Sequence, residues 1–80
     1  MVAREVQIRE QMIRLGQLLK LAGVVDSGSD VKALLASGEL TVNGEPETRR
    51  GRQLHDGDVV LVEGEELLVC VHTRESGLSG

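Results

Sequence analysis

The chain reads as an α+β domain, two short helices set against a small, mostly antiparallel sheet. Apolar residues Leu15, Leu18, Leu19 and Ala22 repeat at i, i+3, i+4 and i+7, and a second helical set follows at Val31, Leu34 and Leu35. Runs of alternating or β-branched residues lie before and after them, at Arg4 to Arg9 and at Val59 to Val62. The turn signals Asn43-Gly44, Asp56-Gly57-Asp58 and Gly64 separate the later runs, as in hairpins.

In order, Arg4 to Arg9 is a half-buried strand, with Val6 and Ile8 on one side and Glu5, Gln7 and Arg9 on the other. From Ile13 the period changes to that of a helix, which Gly23 ends. Gly16 inside this helix costs about 1 kcal/mol against Ala, which suits a close backbone contact. Val24 to Ser29 is a loop, and Ser29 or Asp30 caps the second helix, which Gly38 stops. Leu40-Thr41-Val42 then enters an Asn43-Gly44 hairpin whose return strand is Glu45 to Thr48, and Pro46 confines that strand to a sheet edge. Arg49 to Leu54 is irregular. Val59 to Val62 and Glu66 to Val71 form a second hairpin, and the Ser- and Gly-rich tail from Thr73 frays.

Eighty residues make a single domain (1–80, core about 13–62) with a thin core, because so short a chain buries only roughly 60% of its unfolded surface. The sequence holds no Phe, Trp or Tyr, so it cannot stack bases on aromatic platforms. Nucleic-acid binding would have to work through charge, shape and backbone amides. Cys70 is the one cysteine, so no internal disulfide forms; a reduced, buried thiol fits the cytosol. No stretch has the length of a signal peptide or a membrane span.

The net charge is -4, yet Arg49, Arg50 and Arg52 crowd four positions. Like charges this close repel, and nothing in a small fold requires them together. A polyanion neutralises all three at once, whereas a solvated turn is the bland alternative. Asp56 to Gly80 carries a net -5 and the rest of the chain +1, so an anion site belongs to the first two-thirds. Arginine rather than lysine at all three positions favours phosphate, because the planar fork grips two oxygens. As an exposed loop, the cluster is expected to be replaceable without loss of fold.

Ile13-Arg14-Leu15-Gly16-Gln17-Leu18-Leu19-Lys20, Lys32-Ala33-Leu34-Leu35, Gly38-Glu39-Leu40-Thr41-Val42-Asn43-Gly44 and Asp56-Gly57-Asp58 occur in an order that resembles the S-four domain. This is the RNA-binding module of ribosomal small-subunit protein four. The resemblance covers Ile13 to Val62, and Val42-Asn43-Gly44-Glu45 with the arginines after Thr48 resembles the stand-alone bacterial branch. It implies a helix-loop-helix on a hairpin (the alpha-L fold) and a concave surface for structured RNA, with ribosomal RNA or an assembly intermediate as target. The implied RNA-facing residues are Arg14, Lys20, Lys32, Asn43, Arg49, Arg50 and Arg52. The family often has Ser-Arg before the second helix. Here it is Ser27-Gly28, so Lys32, one turn on, is expected to take over that phosphate.

The amides of Ser29 to Val31, at a helix start, offer a further phosphate site, although Asp30 can complement the same dipole as an ordinary cap. Asn43 also has a structural use, supplying the positive φ of the turn. Cys70, His72 and His55 are too few for a zinc site. No serine has a recognisable base partner, and the carboxylate pairs sit in turns. The reading is thus a monomeric, non-enzymatic RNA-binding protein without cofactor, metal, membrane association or DNA specificity. Two alternatives stand beside it. The Val42 to Glu45 and Leu54 to Val59 runs resemble part of a ubiquitin-like sulfur carrier, though the chain ends Leu78-Ser79-Gly80 and not Gly-Gly. A protein-docking adaptor could also use the arginines against an acidic partner.

Overall fold

A computed structural model describes residues 3–72, so the expectation for the tail from Thr73 lies outside the described residues. Nine elements follow one another: β1 (Arg4–Ile8), β2 (Ile13–Arg14), α1 (Leu15–Leu21), α2 (Gly28–Ala36), β3 (Thr41–Val42), β4 (Glu45–Pro46), β5 (Gln53–Leu54), β6 (Val59–Val62) and β7 (Glu65–Val71). The main sheet has the order β1-β7-β6-β3-β4, antiparallel except where β1 runs parallel to β7. Its neighbours by register are Val6 with Val69, Val60 with Leu67, and Val42 with Val60. All of these side chains enter the core. They meet Leu15, Leu18 and Leu19 of α1 and Val31 and Leu35 of α2, while Leu34 is only half-buried. The core is entirely aliphatic, and α1 is too short to persist without it.

Several boundaries move from their expected places, each for a local reason. The first helix begins at Leu15, because Ile13 and Arg14 pair antiparallel with Leu54 and Gln53. The segment from Arg49 is therefore not irregular to its end. The second helix begins earlier than expected, because Ser27 is its cap and accepts from the Asp30 N–H at 3.4 Å. Asp30 instead serves the helix dipole from the first turn. The return strand after Asn43-Gly44 stops at Pro46, on the sheet edge. Both turn residues have positive φ, 53° and 87°, as a two-residue hairpin requires. Cys70 is half-buried on the outer face of the sheet, and burial, then Glu5 and Asp56, push its thiol pKa up.

Gly16 does lie against another strand of backbone. Its N–H donates to the Arg50 carbonyl at 2.9 Å. A Cβ built there would nevertheless stand 3.5 Å from that oxygen and 3.6 Å from both Arg50 Cβ and Val31 Cγ1, which is ordinary contact. Gly16→Ala is therefore expected to raise stability by about 0.4–1 kcal/mol, read as a higher denaturant midpoint at unchanged m. A lower midpoint would mean that the contact needs glycine.

Candidate nucleic-acid interface

The arginine segment is bolted to the start of α1. Ile13-Arg14-Leu15 offers no Ser, Thr, Asp or Asn to cap that helix, and its first donors find acceptors elsewhere. Leu15 N–H donates to the Arg52 carbonyl and Gly16 N–H to the Arg50 carbonyl, each at 2.9 Å. Arg14 N–H donates to Gln17 Oε1 at 3.2 Å. The loop thus caps α1 with its carbonyls and is placed by the helix in return.

One acid organises the side chains. Glu47 is only 6% exposed and lies just before the three arginines. Its Oε2 accepts from the N–H groups of Thr48 (3.0 Å) and Arg49 (2.9 Å) and from Arg49 Nε (3.0 Å). Its Oε1 accepts from Arg49 Nη2 (3.2 Å) and Arg52 Nη1 (2.8 Å). These bonds to Arg49, and then to Arg52, hold the carboxyl far below the usual carboxylate range against the opposing effect of burial. The expectation that no feature of the fold gathers the arginines is therefore corrected. Glu47 gathers two of them, and it does so with a charge-assisted network that leaves no acceptor idle.

Arg50 behaves differently. No hydrogen bond engages its guanidinium among the described residues, and the residue is exposed. Its side chain runs between the two helices, from Cβ beside Gly16 to Nη1, 3.8 Å from where a Cβ on Gly28 would lie. On one side is a cleft of about 250 Å³ lined by Arg14, Gln17, Lys20, Gly28 and Val31. On the other is a cleft of about 270 Å³ lined by Lys32, Leu35, Ala36 and Thr48, with Arg50 again on its wall. The group that reaches Gly28 is thus Arg50 and not Lys32, which stands across the ridge.

Of the seven residues named from sequence, the fold brings Arg14, Lys20, Lys32 and Arg50 to one surface. Arg49 and Arg52 adjoin it but are paired with Glu47; the Arg49 side chain stays 74% exposed and that of Arg52 33%. Asn43 lines neither cleft. Its Nδ2 donates to Asp58 at 3.1 Å and its Oδ1 accepts from the Val59 N–H at 2.9 Å, pinning the hairpin turn to the next one. At the start of α2 the Asp30 and Val31 amides are taken by the Ser27 hydroxyl and carbonyl, so Asp30 and Ser27 form an ordinary cap. Glu47 and Gln17 were missed. An acid inside a basic run and a helix without a capping residue were the available signals.

The S4 domain family matches residues 6–70. The chain belongs to that family. It is also 51% identical over 63 residues to a protein of Bacillus subtilis (strain 168) described as "Probable ribosome maturation protein RlbA", a match covering 79% of this chain and 89% of the relative. The two helices and mostly antiparallel sheet are thus an S4-like fold. No helix among the described residues is long and apolar enough to cross a membrane.

Proposed function

We propose that this S4-domain protein binds structured RNA through its phosphates and shape, without catalysis, and that its target is ribosomal RNA during ribosome maturation. The observation that carries the reading is the ridge of Arg50 flanked by Arg14, Lys20 and Lys32, on a chain whose net charge is -4. Such local concentration of cations on an acidic protein suits a polyanion. Family membership and the printed name of the Bacillus subtilis relative supply the ribosomal context. With no aromatic residue, the surface reads backbone and shape in preference to stacked bases; no DNA specificity is expected of it. The protein works as a monomer in the cytoplasm. Nothing in the family match favours a sulfur carrier.

Binding to purified ribosomal RNA tests this. If these cations engage about three or four phosphates, log K falls with log[salt] at a slope of roughly -2 to -4. A binding constant unmoved by salt overturns the electrostatic mechanism. Equal retention on an acidic protein of matched charge density would favour the docking-adaptor alternative instead.

A further inference from the structure

The geometry points to Arg50 as a shared ligand for two phosphates of one RNA strand, one seated in each flanking cleft. The inference rests on the RNA-binding reading above. Arg50 stands on the wall of both clefts, and among the described residues it is the only one that lines both. Each cleft supplies further cations of its own: Arg14 and Lys20 on the α1 side, Lys32 on the α2 side. A guanidinium has five N–H donors in a planar fork, enough to serve an oxygen on either side without turning.

Two features keep the fork free for this. Glu47 takes Arg49 and Arg52 and leaves Arg50 out, so the one arginine of the cluster without an internal partner among the described residues is the one on the ridge. Gly28 leaves open the ground over which Nη1 lies; a long side chain there would occupy the cleft that Arg50 bounds. The floor on the α1 side is Val31 and Gly16, which offer no competing acceptor side chain. The acids of the cluster's own neighbourhood, Glu47 and Asp30, line neither cleft.

Salt titrations of ribosomal RNA binding by the intact protein decide the matter. Arg50→Gln removes one positive charge and is expected to lower the salt slope by about one, roughly 0.7 to 0.9. Lys32→Gln and Lys20→Gln should each lower it by about one phosphate, roughly 0.7 to 0.9. Double-mutant cycles should show Arg50 coupled to Lys20 and also to Lys32, with Lys20 and Lys32 independent of each other. Thermal melts of the same proteins check that each is folded. If Arg50 couples to only one of the two lysines, or if the two lysines couple as strongly as each does with Arg50, the shared-ligand assignment is overturned while RNA binding stands. If the unmodified protein shows no salt-dependent binding at all, the RNA reading fails and this inference with it.

Discussion

Replacing Glu47 with alanine is expected to lower stability by about 2–4 kcal/mol, roughly 10–25 °C in melting temperature for a domain of this size. The change removes the acceptor for five donors, two of them main-chain N–H groups that turn the chain from β4 into the arginine segment. Deleting one partner of a fully buried ion pair costs about 3–5 kcal/mol. Here the cost falls short of that limit, because the Arg49 side chain is 74% exposed and can turn to water. The carbonyls of Arg50 and Arg52 that cap α1 belong to the same segment, so the damage extends into the core. RNA binding should weaken as well, since Arg50 loses its fixed position on the ridge. A melting temperature unchanged from wild type would show that the Glu47 network is decorative.

Acid should reproduce part of this effect. The folded state lowers the Glu47 pKa from the ordinary 4.5, chiefly through the Arg49 hydrogen bonds. A carboxyl whose pKa is lowered on folding contributes stability that is complete above its unfolded value and is lost as pH falls below it. Stability measured from neutrality downward should therefore begin to drop near pH 4.5 and continue falling through the acid range. Glu47→Gln, less stable at neutral pH, should show a shallower fall over the same window. Parallel acid limbs for the two proteins would assign the loss to other carboxylates.

Most of the fold was legible because its signals are local. The spacing of Leu15, Leu18 and Leu19, the alternation of Val6 and Ile8, and Asn43-Gly44 each declare an element within a few residues. What escaped depends on partners distant in sequence or on a choice among neighbours. Ile13 and Arg14 read as helix, but Leu54 and Gln53 claim them as a strand; the missing cap on α1 is supplied from almost forty positions away by the Arg50 and Arg52 carbonyls. Ser27, Ser29 and Asp30 all have capping chemistry, and only the turn of the backbone selects Ser27. Around the two clefts, the sequence named Arg14, Lys20, Lys32 and Arg50 together with Arg49 and Arg52 but could not rank them. Three neighbouring arginines look equivalent on paper. One buried acid two positions upstream makes two of them structural and frees the third.

That division predicts opposite outcomes for two charge reversals. Arg50→Glu replaces an exposed side chain that has no internal partner among the described residues, so stability should move by less than about 0.5 kcal/mol. Its affinity for ribosomal RNA should fall by about a hundredfold or more, because a charge-assisted hydrogen bond of roughly 1.5–3 kcal/mol is lost and repulsion takes its place. Reversing Arg49, Arg50 and Arg52 together was expected, from an exposed loop, to leave the fold intact. The structure reverses that expectation. New carboxylates at positions 49 and 52 would face Glu47, stripping it of three donors and surrounding it with like charge. The triple variant should be at least as unstable as Glu47→Ala, with a loss comparable to Leu18→Ala, where removing a fully buried side chain costs about 2–5 kcal/mol. Circular dichroism melts set beside RNA titrations separate the cases. A triple variant that melts with wild type would remove Glu47 from the fold's supports. An Arg50→Glu protein that binds RNA as tightly as wild type would remove the ridge from the interface.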